Sequence, residues 1–328
     1  MTFNEIERSL AIHGNLAPVA LDYLGSIPEN LLYHRQHRLR HPWSLYKISL
    51  DQVFTGFEDV VERYRKIQSF VSRPDETRQF QLLMSSYKNF LYTLREHIDD
   101  CYLVFKALVA PKSSKPSRFQ TQFLRNAGFK ELEPFEDAIA WYKRDHLAPL
   151  VNNLKHHQGR LRWLYFHGSG EFRPGYFLEQ VGDDGAVGPS QTIHKNNTAF
   201  SFCRDIKLHL YAVYFISQKV VDVLVSRIAA ECADFTLTPR NRVRADEFKQ
   251  TLESVSELEL DVFPNELNEP CALVELVTVE DDTRLRLSYP EDVPNKNFPK
   301  LLTISGVPMW ADDFTRTFRL PYWQPGKP

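Results

Sequence analysis

One face of the third predicted helix, from about residue 134 to 157, turns from apolar to polar along its length. Steps of three and four residues place these side chains on that face: Phe135, Ile139, Tyr142, His146, Leu150, Asn153 and His157. A buried imidazole or amide needs hydrogen-bond partners. The polar end therefore indicates a structural network, simple exposure at the helix end, or a site for acid–base chemistry. Pro149 lies inside the run and predicts a kink or break near Asp145 and His146.

The end of this helix, Asn152-Asn153-Leu154-Lys155-His156-His157, resembles the helical signature of the HEPN superfamily (higher eukaryotes and prokaryotes nucleotide-binding). Members have a bundle of four or five helices, and the active ones are metal-independent ribonucleases. Their signature has an arginine, a polar residue beside it, and a histidine four to six residues beyond the arginine. The resemblance covers about residues 51–235, less an inserted group of strands.

The resemblance implies catalytic roles for three side chains near this helix end. His157 would be the general acid/base, Asn153 its positioning neighbour, and Lys155 or Arg144 a cation for the phosphate. Asn152 stands where the family has arginine, and an amide cannot stabilise phosphate charge as a guanidinium does. Two functions therefore stay open. One is RNA binding or cleavage in a bacterial defence or toxin setting; the other is a non-enzymatic protein-interaction scaffold.

A basic window without any acidic residue, residues 33–47, is the second candidate site. Cations bind phosphates and aromatic faces stack on bases, so the window favours an RNA-binding surface, with a generic basic surface as the alternative. Pro42 predicts a loop or a helix end here. The residues expected to bind RNA are Arg35, Arg38, Arg40, Trp43 and Tyr46.

Two residue pairs have the spacing of metal ligands on a helix. His97 and Cys101 are four residues apart, and so are Asp205 and His209. A zinc site needs three or four ligands, and the sequence offers no second dense pair. The chain also lacks HExxH, P-loop and Gly-x-Ser-x-Gly motifs. We therefore predict packed or half-exposed histidines, no metal site and no cofactor.

Composition predicts a globular protein of the cytoplasm. The chain has 328 residues, of which 43% are apolar and 13% aromatic, enough for a large core and too apolar for a disordered chain. Its four cysteines are widely spaced without a CxxC pair, which favours reduced thiols. No apolar run approaches the ~18 residues of a membrane span, and the N-terminus does not have the pattern of a signal peptide.

Charge divides the chain into unequal parts. Residues 1–245 carry 32 basic against 26 acidic residues, whereas residues 246–292 carry 3 against 14, a balance of −11. Such a shift predicts a boundary near residues 235–245, with the acidic stretch outside the core of the helices. The domains expected are a basic, aromatic N-terminal segment (1–50), a helical bundle (51–235) with a β insertion at about 160–199, and an acidic α+β C-terminal domain (236–328).

The predicted fold class is mainly α. It is a four-helix-type bundle with an inserted β-hairpin or meander and a small α+β C-terminal domain. Four helices are expected: from Asp51 to about residue 71, over 76–109, over about 134–157 and over about 201–232. C-terminal strands are expected at 272–279, 283–287, 300–304 and 314–320. The partners expected are RNA, a protein partner or a second copy of the chain, and no membrane.

Overall fold

A computed structural model of the chain describes residues 9–12, 16–68, 76–111, 119–157, 159–164, 175–181, 187–194, 199–232, 235–240, 245–263, 266, 269–280 and 282–290. This part of the chain is mainly helical with small sheets, as the sequence predicts. The helices are α1 (Ala20–Leu24), α2 (Pro42–Gln68), α3 (Glu76–Lys106), α4 (Gln120–Asn126), α5 (Leu132–Ala138), α6 (Ala140–Tyr142), α7 (Ala148–His156), α8 (Gln191–His194), α9 (Phe202–Glu231) and α10 (Lys249–Ser256).

The strands form two antiparallel sheets. In the β insertion, β2 (Arg160–Leu164), β4 (Val187–Pro189) and β5 (Phe200–Ser201) all pair with β3 (Gly175–Val181). In the other sheet, β7 (Asp282–Ser288) pairs with both β6 (Leu273–Val279) and β1 (Ser9–Ile12). The pairing of β1 with β7 joins opposite ends of the chain and was not predicted. The strands expected at 300–304 and 314–320 lie outside the described residues.

Helix α9 lies at the centre of the packing. Residues 202–217 are buried without interruption, so the first half of α9 has no solvent-facing side. By length and composition α9 could cross a membrane, but 78% of its apolar window is buried inside the protein. The same pattern is expected of the core helix of a globular domain. The predicted bounds of α3 and α9 agree closely with the structure, whereas α2 begins at Pro42, earlier than expected.

The third predicted helix is irregular in its middle. It consists of α5, α6, a π-helical turn at Lys143–Leu147, and α7. Pro149 has no N–H to donate to the carbonyl group of Asp145, so a regular helix cannot continue through this point. A kink or break was predicted near Asp145 and His146, and the structure has this π turn there. The π turn carries His146, and such turns are frequent at functional sites.

The acidic segment from 246 onward packs against the helices. Its apolar side chains belong to the same hydrophobic cluster as those of α2, α3 and α9: Phe248, Leu252, Val255, Leu258, Ala272, Val274, Leu285, Leu287 and Tyr289. Its carboxylates pair with basic side chains of α2, as in the Lys47–Glu247 pair and the Arg65–Glu257 pair at 2.6 Å. The described part of this segment therefore shares the main core instead of lying outside it as expected.

We predict that Leu252→Ala lowers the free energy of unfolding of the whole protein by about 2–5 kcal/mol, because Leu252 is fully buried in the shared core. Urea denaturation followed by circular dichroism should still show one transition. The matched control is Glu253→Ala at an exposed neighbouring position, which should change stability by less than ~0.5 kcal/mol. A separate, early transition in Leu252→Ala would instead indicate an independently folding C-terminal lobe.

Candidate metal centre

A cluster of buried polar side chains lies where α9 meets the rest of the core. Asp205 and His209 are one helical turn apart on α9, so both project from the same face. His146 reaches them from the π turn. Three buried tyrosines from three further elements complete the cluster, namely Tyr87 of α3, Tyr142 of α6 and Tyr176 of β3.

Three side chains in this cluster carry atoms that can ligate a metal ion. His146 Nε2 lies 2.8 Å from Asp205 Oδ1, and His209 Nε2 lies 3.4 Å from Asp205 Oδ2. The ligand atoms of the three residues all lie within 4.8 Å of one another. The side chain of Asp205 is 1% exposed, that of His209 is 0% exposed, and that of His146 is 17% exposed. The centre is therefore enclosed, and of these three residues His146 alone is partly exposed.

Hydrogen bonds account for one side of the Asp205 carboxylate. Tyr87 and Tyr176 both donate from their phenol groups to Oδ2. Tyr87 O also lies 2.9 Å from His209 Nε2, and Tyr142 O lies 2.9 Å from His209 Nδ1. Both nitrogens of the His209 ring thus face a phenol oxygen. The carboxylate oxygen of Asp205 and the ring of His209 thus hold three tyrosines together.

The other side of the carboxylate is different. Asp205 Oδ1 and His146 Nε2 are close enough for an ion pair, but the two groups are not aligned as a hydrogen bond. Neither of these buried atoms has a hydrogen-bond partner among the described residues. Buried polar atoms without a partner are uncommon and call for an explanation such as an ion or a water molecule. A cation bound by both atoms would satisfy them.

Burial and neighbouring charges shift the pKa values of the groups in the cluster. Burial alone would raise the pKa of Asp205, but His209 and His146 beside it hold that pKa well below its usual value. Burial lowers the pKa of His209, and it raises the pKa values of Tyr87 and Tyr176 well above 10. The ionised form of Asp205 and the neutral forms of Tyr87 and Tyr176 are therefore favoured. Such a site attracts a cation.

The residues expected from the HEPN resemblance do not meet in this cluster. His157 is exposed and caps the C-terminal end of α7. The amide of Asn153 donates to Pro149 O at 2.8 Å and accepts from Gln180, so it is engaged within the fold. Lys155 Nζ lies 4.8 Å from the ring centre of Tyr92. Within the described residues, no hydrogen bond links the side chains of His157, Asn153 and Lys155.

The structure divides the residues expected to bind RNA. Arg35, Arg38 and Arg40 are exposed in the segment before α2, as predicted. Trp43 is half-buried against the core. Tyr46 is 0% exposed, so the prediction that it stacks on a base is wrong: its ring faces are covered by the core, because α2 begins at Pro42 and turns this position inward.

Of the two ligand pairs noted in the sequence, only one gains a third group. His97 is buried and bonds to Ser49 at 3.0 Å, as a packed histidine does. Asp205 and His209 are joined by His146, a residue some sixty positions away that the helical stripe singled out for another reason. The sequence showed both the Asp205–His209 spacing and the polar position of His146, but no local pattern indicates that the π turn lies against α9.

Comparison with known proteins does not relate the chain to a family. A scan against protein-family models and searches of the curated proteins and of the solved structures find no match. The function is therefore argued from the geometry of the site.

We predict that Asp205→Asn lowers the free energy of unfolding in the presence of a chelator by about 1–3 kcal/mol, because a neutral amide oxygen accepts weaker hydrogen bonds from the two phenols than the carboxylate oxygen does. Chemical denaturation measures the change. Asp145→Asn, an exposed aspartate one residue before His146, is the control and should change stability by less than ~0.5 kcal/mol. Equal stability of the two variants would show that the Asp205 network contributes nothing to the fold.

Proposed function

We propose that the protein binds one transition-metal ion at His146, Asp205 and His209. The observation that carries this proposal is the convergence of two imidazole nitrogens and a buried carboxylate. Two of the converging atoms, Asp205 Oδ1 and His146 Nε2, have no hydrogen-bond partner among the described residues. Two histidines and one carboxylate are a ligand set typical of iron and other first-row metal sites. This proposal departs from the expectation, drawn from spacing alone, that the chain has no metal site.

The surroundings of His209 support the role of a metal ligand. A ligating histidine usually donates its second ring N–H to an oxygen atom, which fixes the tautomer and the orientation of the ring. Tyr142 O, at 2.9 Å from His209 Nδ1, is such an oxygen. With Nδ1 protonated, Nε2 carries the lone pair, and an ion bound there would replace the contact of Nε2 with Tyr87 O at 2.9 Å. Tyr142 therefore acts as a positioning residue for His209.

The enclosure of the site limits what the ion could do. Asp205, His209 and the surrounding tyrosines are at most 1% exposed. A closed centre of this kind suits a structural ion. In this proposal the ion ties α9 to the π turn, so metal binding stabilises the central helix.

We predict that the metal-free full-length protein binds one Zn²⁺ or Mn²⁺ per chain in calorimetric titration and that the ion raises the melting temperature. His146→Ala and His209→Ala should lose this binding because each removes a ligand nitrogen. Tyr142→Phe should weaken binding by about 10–100-fold, since it removes the group that orients His209.

The control is His157→Ala, which changes an exposed histidine and should bind metal as the parent protein does. Binding that persists unchanged in both His146→Ala and His209→Ala would place the ion elsewhere. If the parent protein binds neither ion, the cluster is a hydrogen-bonded network and not a metal site.

RNA binding is the second candidate function, and the exposure of Arg35, Arg38 and Arg40 favours it. Within the described chain, none of these three guanidiniums forms an ion pair with a carboxylate. Three unpaired arginines in a short segment suit a phosphate backbone. Together with RNA binding, we propose that the protein is HEPN-like and that His157 has a catalytic role. Its fold would then be a four-helix-type bundle that carries the β insertion and the C-terminal domain. We also propose that the protein is cytoplasmic and that it binds a partner chain.

We predict that replacing Arg35, Arg38 and Arg40 together by alanine weakens binding of single-stranded RNA and reduces its dependence on salt concentration, because fewer counterions are released. Fluorescence anisotropy at several salt concentrations measures both effects. The matched control replaces Arg125, which is exposed but paired with Glu136 at 2.5 Å. In a parallel cleavage assay, loss of RNA cleavage in His157→Ala would support the catalytic role. If the parent protein does not bind RNA at low salt, this candidate function is excluded.

A further inference from the structure

We propose that Phe119 is the base-stacking residue of a site for single-stranded RNA, in which the exposed arginines before α2 bind the phosphates. This inference rests on the second candidate function, RNA binding, and is independent of the candidate metal centre. It names the substrate class and gives Phe119 the stacking role that the sequence assigned to Tyr46, whose ring is buried in the core. Phe119 was not singled out in the sequence.

The segment before α2 is fixed to the end of α3 by two hydrogen bonds. The N–H of Tyr33 donates to Ala107 O at 2.7 Å. The side chain of His37 lies with Nε2 at 2.7 Å from Val109 O. The arginine-bearing turn between these two anchors is therefore held against the end of α3 as a defined surface.

Helix α4 places two phenylalanines beside this turn. The N–H of Phe123 donates to Phe119 O at 3.1 Å, so the two residues lie one helical turn apart on the same side of the helix. The ring of Phe123 contacts that of His37 edge-on, with ring centres 5.4 Å apart. Phe119 is 65% exposed, the most of any aromatic residue among those that the structure describes. A base can therefore reach its ring.

Positive charge lies next to these rings. Lys106 Nζ is 5.0 Å from the ring centre of Phe123. Arg35 and Arg38 are exposed on the turn, and the N–H of Arg38 donates to Arg35 O at 3.1 Å, which keeps the two residues close together. Within the described part of the chain, none of these three cations forms an ion pair with a carboxylate. Their charges are available to phosphate groups.

Two stretches that are far apart in the sequence meet at this surface, and neither contributes a carboxylate. Residues 30–50 contain four basic and no acidic residues. The described residues within 101–130 add three basic and no acidic residues. Basic groups without carboxylates among them attract the phosphate backbone of RNA. The arginine segment thus supplies part of the charge, and the ends of α3 and α4 supply the exposed ring.

An aromatic ring at this surface selects single-stranded RNA, because only an unpaired base exposes its face. In an A-form duplex the bases stack on one another, and proteins contact mainly the phosphates and the sugar hydroxyls of the minor groove. In a single strand a base can lie on an aromatic ring while the neighbouring phosphates meet cations. Phe119, with the arginine turn and Lys106 nearby, offers both kinds of contact.

The test measures binding of fluorescein-labelled oligouridine to the full-length protein by anisotropy at several salt concentrations. We expect Phe119→Ala to weaken binding by about 5–150-fold, the loss expected for one stacked base. Its dependence on salt should equal that of the parent protein, because no phosphate contact is removed. Lys106→Ala should instead lower the salt slope by about one. Phe119→Trp should bind at least as tightly as the parent protein, since an indole ring also stacks on bases.

Two control variants should bind RNA as the parent protein does. Leu82→Ala removes an exposed apolar side chain near the other end of α3, about 36 Å along the helix axis from Lys106. Arg125→Ala removes a cation that lies on the other side of α4 from Phe123 and pairs with Glu136. Because these positions and that of Phe119 are exposed, the variants should melt at the temperature of the parent protein.

A second measurement does not depend on substitutions. Irradiation of the parent protein with RNA that contains iodouridine links a stacked base to the aromatic ring beneath it. Mass spectrometry of the digested protein should then find the link at Phe119. A link found at other residues only would overturn the stacking role.

The outcomes separate this inference from the candidate function on which it rests. If replacing Arg35, Arg38 and Arg40 weakens RNA binding but Phe119→Ala does not, RNA binding stands and the stacking role is overturned. Equal affinities for oligouridine and for an RNA duplex of the same length would overturn the selection of single strands. If the parent protein binds no RNA at low salt, the candidate function fails and this inference fails with it.

Discussion

The buried carboxylate of Asp205 is the constraint on which the centre of this structure depends. An ionised group in an enclosed apolar environment is tolerated only when other groups compensate its charge and fill its lone pairs. Here the compensation comes from separate parts of the chain: α3, the π turn, β3 and α9 itself. The need to satisfy one carboxylate thus dictates where the long helices and the β insertion meet.

The start of α9 is held in place by a second group of polar contacts. Ser201 is the N-cap, and its own N–H donates to Glu266 Oε1 at 3.0 Å. Arg204, next to Asp205 in the chain, pairs with Glu266 at 3.4 Å and with Glu269 at 3.1 Å. The acidic C-terminal segment therefore fixes the helix end from which Asp205 and His209 project. Some of its carboxylates form ion pairs with this arginine and with basic side chains of α2.

The two candidate functions use different parts of the molecule. The candidate metal centre lies inside the core and involves α3, α9, the π turn and β3, whereas the arginines at 35, 38 and 40 are exposed in the segment that precedes α2. A structural ion would stabilise the helices without touching an RNA bound at that surface. The two proposals can therefore be tested independently, and neither requires the other.

The sequence by itself determined the features that depend on neighbouring residues. Hydrophobic periodicity gave the bounds of α3 and α9, Pro149 indicated the irregular turn, and alternation with turn residues located the β insertion and the pair β6–β7. Tertiary structure alone decided the contacts between distant segments. It placed His146 against Asp205 and His209, buried Tyr46, paired β1 with β7, and packed the acidic segment into the shared core. The reason is physical: periodicity records which face of an element is buried, but not which residue of another element lies opposite.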